Sequence, residues 1–199
     1  MEQIISKGEI DELMKFKGEV RAAGMKGYVK FILKEEGEEG LKKLEDTMAS
    51  FGYSIKSKEI GTRNYYPIGL WALFLLVIKR LFDWNDEKFQ EMGRFALKTS
   101  FLTRTFMKYF VSVERLAKEV PKIWRTTYTV GELKVTEFSQ EERYIILKLE
   151  NFRFHPLQCE VLMGVLSGIV QMMVGSKATS KEKKCIHGGD EYHEFLVKW

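Results

Sequence analysis

The chain has 199 residues, 45% of them apolar and 13% aromatic, with only three prolines, a composition that excludes a disordered or low-complexity protein. Its 32 basic and 28 acidic residues leave a net charge of +4 from well-mixed signs, which argues against a nucleic-acid face, where basic residues cluster. Two cysteines rule out a disulfide framework.

A chain of this length is expected to be one domain over 1–199, able to bury about 70% of its unfolded surface without staples. Abundant Lys and Glu beside sparse Asn and Gln fit a heat-adapted composition. The N-terminus "MEQIISKGEIDELMKFK" alternates charged and apolar residues and lacks a signal-peptide core, so the expected setting is cytoplasmic.

In chain order, residues 7–17 place Ile10, Leu13 and Met14 at helical spacing. "GYVKFILKEEG" and "EEGLKKLEDTMASFG" predict two more helices joined at "EEGEEG", the second with Gly52 as C-cap. That link is too acidic to cradle a phosphate. After a polar stretch, Pro67 opens the apolar run "PIGLWALFLLVI". At about twelve residues it is too short for an integral membrane span. A helix over 67–82 is expected instead, buried on all sides or serving as an interface for a homodimer or a partner protein.

"NDEKFQEMGRFALKTSFLTRTFMKYF" follows as a helix capped by Asn85 or Asp86, with Phe89, Met92, Phe95 and Ala96 facing inward. "SVERLAKEVPKIW" predicts a shorter helix that Pro121 should end or kink. The period then changes to two. "IWRTTYTVGELKVTEF" reads as strand with a bend or bulge at Val130-Gly131-Glu132, and "RYIILKLENFRF" alternates with Ile145, Leu147 and Leu149 on one face. A helix from Pro156 to about Val174, a mobile surface loop over 175–184 and a last strand from about Tyr192 to Trp199 complete the plan. The fold class is α+β: a helical part over about 1–122 packed on a small antiparallel sheet, with a helix inserted before the closing strand.

All five histidines and cysteines fall in "FHPLQC" (154–159) and "CIHGGDEYH" (185–193). Cys159 lies in the first turn of its helix, where the dipole favours a thiolate. His193 alternates with Phe195, Val197 and Trp199 and so points to the apolar face of the last strand, which the 156–174 helix should cover, with Gly164 and Gly168 letting it sit close. Cys159, Cys185 and His193 could then converge, with His187, His155 or water as a fourth ligand, and zinc accepts such a tetrahedral Cys/His set. Two other readings stand beside it. The cysteines could be buried small hydrophobes with His193 a hydrogen-bonded core residue, or they could be a disulfide or a reactive thiol. His155 before Pro156 could cap the helix, and Asp190 should stabilise the glycine turn.

"FKGEVRAAGMKGYVKFILKEEGEEGLKKLEDTM" resembles the opening of haem nitric-oxide/oxygen-binding (H-NOX) domains. "FHPLQCEVLMGVLSGIVQMMVG" followed by "KKCIHGGDEYHEFLV" resembles 4-vinyl-reductase-type ligand-binding domains, with His193 where that family carries a third Cys. Both share an α/β sensor fold with vesicle-tethering (TRAPP) subunits. Two departures count against haem: residues 53–154 contain no histidine for an axial ligand, and Tyr109, Ser112 and Arg115 have the wrong spacing for the propionate motif.

The resemblance implies a non-enzymatic sensory domain that binds an apolar small molecule between helices and sheet. Trp71, Phe74, Phe95, Phe106, Tyr109 and Trp124 are the candidate lining residues. No Walker loop, dinucleotide fingerprint, zincin motif or oriented Cys-His pair supports catalysis, so no catalytic residue is assigned. A tetrapyrrole-reducing enzyme is implied only by the family's name.

Overall fold

The N-terminal helix α1 (Lys7–Met14) starts at a reciprocal cap. Ser6 Oγ accepts from the Glu9 backbone N–H, and the Ser6 N–H donates to Glu9 Oε2 at 2.8 Å. In the computed structural model, residues 4–61, 63–99 and 112–199 are described. A short strand β1 (Glu19–Arg21) leads into α2 (Ala23–Ser50), and Gly37 breaks that helix at φ +69°, the "EEGEEG" junction. Strand β2 (Tyr65–Pro67) pairs antiparallel with β1 and runs directly into α3 (Ile68–Phe82).

Helix α3 is the axis of the core: every residue from Ile68 to Ile78 except Leu70 is buried. The apolar run thus takes the buried position that was one of its two expected readings. Helix α4 (Asp86–Thr99) is capped by Asn85, whose Oδ1 accepts from the Lys88 N–H at 2.9 Å, and it buries Phe89, Met92 and Ala96.

Helix α5 (Val113–Thr127) runs through Pro121 instead of ending there, the first of the two outcomes the proline allowed. A mid-helix proline costs about 3 kcal/mol. Against that cost, Leu116, Val120 and Trp124 recur at a four-residue spacing and are all buried, so packing of one stripe outweighs the lost backbone bond. The helix consumes residues through Thr127 that were expected as strand. Val130-Gly131 is accordingly the helix-to-strand connection, with Gly131 at φ +76°, and is no bend within a hairpin.

The main sheet has order β3-β4-β6-β5, all antiparallel. It comprises β3 (Glu132–Ser139), β4 (Tyr144–Glu150), β5 (Thr179–Lys184) and β6 (His193–Lys198), with α6 (Leu157–Val174) between β4 and β5. Ile145, Leu147 and Leu149 sit opposite Val197, Phe195 and His193, which puts all six on one buried face. Strand β5 replaces the loop expected over 175–184. "TSKEKK" is too polar to announce a strand, but it occupies an edge, where lysines and a β-bulge after Glu182 suit an exposed rim.

Helix α6 is also long and apolar enough by composition to cross a membrane, yet it packs in the interior against α4, β5 and β6. Its glycines do not meet the sheet, as the sequence suggested. A Cβ on Gly164 would lie 2.0 Å from the Gln90 carbonyl oxygen of α4, and one on Gly168 would lie 3.0 Å from Leu97. Gly93 answers from α4, where a Cβ would lie 2.3 Å from the Val161 oxygen. The glycine seam sets the α4–α6 crossing.

Candidate functional site

Two features converge on the first turn of α6, which places Gln158 on one side and Cys159 on the other. The first is a cluster of four potential ligands. Cys159 comes from α6, Glu182 from β5, Cys185 from the turn after β5 and His193 from β6, with their ligand atoms all within 4.8 Å of one another. Glu182 sits opposite Phe195 in the β5–β6 register and so shares the buried face. The sequence reading missed it because β5 was read as loop. The alternation of Ser180 and Glu182 with Lys181 and Lys183 was the available signal.

The turn holding Cys185 is built by its own residues. The Cys185 N–H donates to Asp190 Oδ2 at 2.8 Å, the Cys185 carbonyl accepts from the Gly188 N–H at 2.9 Å, and Gly189 takes φ +98°. His155 does cap α6, its Nδ1 accepting from the Leu157 N–H at 3.2 Å. The His187 ring lies 5.8 Å from that of His193 but is not among the four ligands. Both cysteines are free thiols.

His193 is 2% exposed, and its two nitrogens have separate partners. Nε2–H donates to the Phe152 carbonyl at 3.1 Å, while Nδ1 faces Glu182 Oε1 at 2.8 Å and Cys159 Sγ at 3.7 Å. An imidazole held by a backbone carbonyl presents its other nitrogen as a lone pair, the usual arrangement behind a metal ligand. That lone pair would face a carboxylate unless a proton or a cation lies between them.

Burial, then Glu182, then Cys185 push the Cys159 thiol far up, and burial raises that of Cys185. The thiolate expected from the helix dipole is therefore not favoured at Cys159 by the protein alone, because desolvation exceeds the dipole's contribution. A divalent cation reverses this by deprotonating the thiols it binds. In a zinc tetrahedron with bonds of about 2.0–2.3 Å, ligand atoms lie about 3.3–3.8 Å apart, so the widest pair would close by about 1 Å.

His155 has a pH consequence of its own. Burial, with His187 and Arg80 nearby, lowers its pKa to about 4. The unfolded chain therefore binds the extra proton first as acid is added. Stability is complete above about pH 6.5 and falls by up to about 3 kcal/mol between pH 6.5 and 4. Chemical denaturation across that window should show the slope, and His155→Gln should flatten it.

The second feature is a cavity of about 190 Å³ between the helices and the sheet end. Its lining includes Val20, Tyr28, Trp71, Ala96, Trp124 and Leu166, with Arg21, Thr126, Thr127, Tyr128 and Gln158 among the polar members. Of the residues expected to line a pocket, Trp71 and Trp124 are there. Phe74 is buried in the core within α3, and Phe95 packs on Phe31 at 5.3 Å between ring centroids, so neither is in the lining. Phe106 and Tyr109 lie outside the described residues.

Phe152 connects the two features. Its carbonyl accepts from His193, and its ring lies edge-on to Trp124 and Tyr128 at 5.1 and 5.2 Å.

No family model matches the chain, and no curated protein matches it either. Solved structures do. An H-NOX protein from S. oneidensis in the Fe(II)NO state superposes with a TM-score of 0.64 at 12% identity, over 89% of this chain and 98% of that one. An unliganded Fe(II) H-NOX protein from K. algicida gives 0.65 at 12% identity, over 89% and 95%. The chain has the H-NOX fold. At this identity the likeness concerns architecture alone. The chain's three histidines are residues 155, 187 and 193, and none lines the cavity.

Proposed function

We propose that this protein is a haem-independent sensory domain that binds an apolar small molecule in the cavity between its helices and sheet. Zinc on Cys159, Glu182, Cys185 and His193 would fix one wall of that cavity. The observation that carries the reading is the apolar cavity itself, set beside the ligand cluster on one helix turn.

The described residues of the lining do not suit haem. No histidine or cysteine lines the cavity, and burial holds the Tyr28 and Tyr128 phenols neutral, so they are poor axial ligands. The volume suits something smaller. A dry engineered cavity of about 150 Å³ takes benzene, and drug-sized pockets begin at about 300 Å³. About 190 Å³ therefore points to a molecule of roughly one ring.

Zinc supplies structural cross-linking here. Four protein ligands leave no open position for chemistry, which agrees with a binding role.

Methylcyclohexane is a suitable probe, with Trp71 and Trp124 as intrinsic fluorophores in the wall. The expected result is saturable quenching or enhancement that Val165→Phe, at another lining position, removes while the thermal midpoint stays within a few degrees. A lining that binds no one-ring compound, and a chain that carries no small molecule in native mass spectrometry, would overturn the reading.

A further inference from the structure

Among the described residues, four buried side-chain polar atoms have no hydrogen-bond partner, and three of them belong to residues that line this one cavity. They are Trp71 Nε1, Gln158 Oε1 and Arg21 Nε. Trp71 and Gln158 are each 1% exposed, so bulk water does not reach them. Native proteins pair nearly all such atoms, and three exceptions around one space point to a ligand that completes them.

The chemistry of the three atoms is specific. Trp71 Nε1–H can only donate. The Gln158 amide nitrogen already donates to the Tyr128 hydroxyl at 3.0 Å, which leaves Oε1 to accept. A hydroxyl is the smallest group that accepts from the first and donates to the second. It also serves if the amide is turned over, because it can act in either sense.

A carboxylate suits the wall less well. It would meet Gln158 Oε1, and Arg21, the one lining cation among the described residues, places its guanidinium over the exposed Tyr65 ring, 5.7 Å from the centroid. The rest of the lining is overwhelmingly apolar.

We infer that the cavity takes a one-ring apolar molecule bearing a single hydroxyl, whose oxygen accepts from Trp71 Nε1–H and whose proton goes to Gln158 Oε1. This rests on the reading of the cavity as a ligand site and adds the polar subsite within it.

The test is calorimetric titration of the full chain with cyclohexanol, methylcyclohexane and cyclohexanecarboxylate, which are close in size. Methylcyclohexane gains more from leaving water, so a purely apolar cavity would prefer it. Cyclohexanol is expected to bind at least about tenfold tighter, because its absence would leave buried groups unpaired. Gln158→Leu and Trp71→Phe should each bring the ratio towards one while methylcyclohexane still binds, a readout that also shows each variant is folded. Equal or tighter binding of methylcyclohexane to the parent overturns the subsite and leaves the cavity reading standing. So does a cyclohexanol preference that survives both substitutions. Tightest binding by cyclohexanecarboxylate overturns it in favour of an anion. If none of the three binds, the cavity reading fails and the subsite with it.

Discussion

Purified protein is expected to carry one zinc ion per chain, and Cys159→Ala, Cys185→Ala and His193→Ala should each lose it. The reason is a problem of charge. Two thiols, a carboxylate and an imidazole lone pair share a space less than 5 Å across, 2% exposed at His193, and no cationic side chain is among them. Without a metal, the cluster must retain protons, and the upward-pushed thiols show where. Zinc would replace those protons with one dication.

Binding that holds free zinc at about 1,000 times its Kd stabilises the fold by about 4 kcal/mol. For a chain of this length that corresponds to roughly 8–16 °C in midpoint. Chelation should lower the midpoint by that amount without unfolding the chain at room temperature, because the α3 core does not depend on the site. The sign of the pH effect follows from the ligands. Each must be deprotonated to bind, so zinc affinity falls as pH falls, and the proton released on binding is measurable in a weakly buffered titration. Metal analysis of the parent beside His193→Ala decides the matter. A metal-free parent with an unchanged midpoint in all three variants would leave a buried histidine–carboxylate pair and nothing more.

The second large effect is expected at the α4–α6 crossing. Gly164→Ala would set a methyl 2.0 Å from the Gln90 oxygen, and Gly93→Ala would set one 2.3 Å from the Val161 oxygen. Both clashes are with backbone, which no rotamer change relieves, so the helices must part. Overpacking of this kind costs typically about 1–3 kcal/mol, or about 2–12 °C here.

The two positions face one crossing, so separating the helices for one methyl makes room for the other. The double variant should therefore lose less than the sum of the singles. Gly188→Ala is the control: its Cβ would meet nothing within 4 Å, and the midpoint should not move. Strict additivity in the double variant would mean the helices do not share this contact. Because α6 carries Gln158 and Cys159, the same variants should weaken both cavity binding and zinc affinity.

The helices were legible where an apolar stripe met a capping residue. Ser6, Asn85 and Pro156 begin helices, and Gly37 breaks one, for reasons local to a few residues. The alternation of Ile145, Leu147 and Leu149 with its echo in His193, Phe195 and Val197 gave the sheet's buried face directly. The convergence of Cys159, Cys185 and His193 followed from that face and from the position of α6. Pro121 and "TSKEKK" misled because their fate depends on distant partners. The α5 stripe overrides the proline, and an edge strand needs a neighbour, β6, more than it needs β-branched residues.

What the sequence determined by itself is therefore the set of elements and the inward direction of their apolar faces, since both are set by spacing along the chain. Only the tertiary structure decided which faces meet. It placed the α6 glycines against α4 instead of the sheet, buried most of α3 from Ile68 to Ile78 in the core, brought Glu182 into the ligand cluster and left Trp71 and Gln158 each with an unpaired atom. The helix-crossing contacts join residues as far as 74 positions apart (Gln90 to Gly164), and no local pattern encodes them.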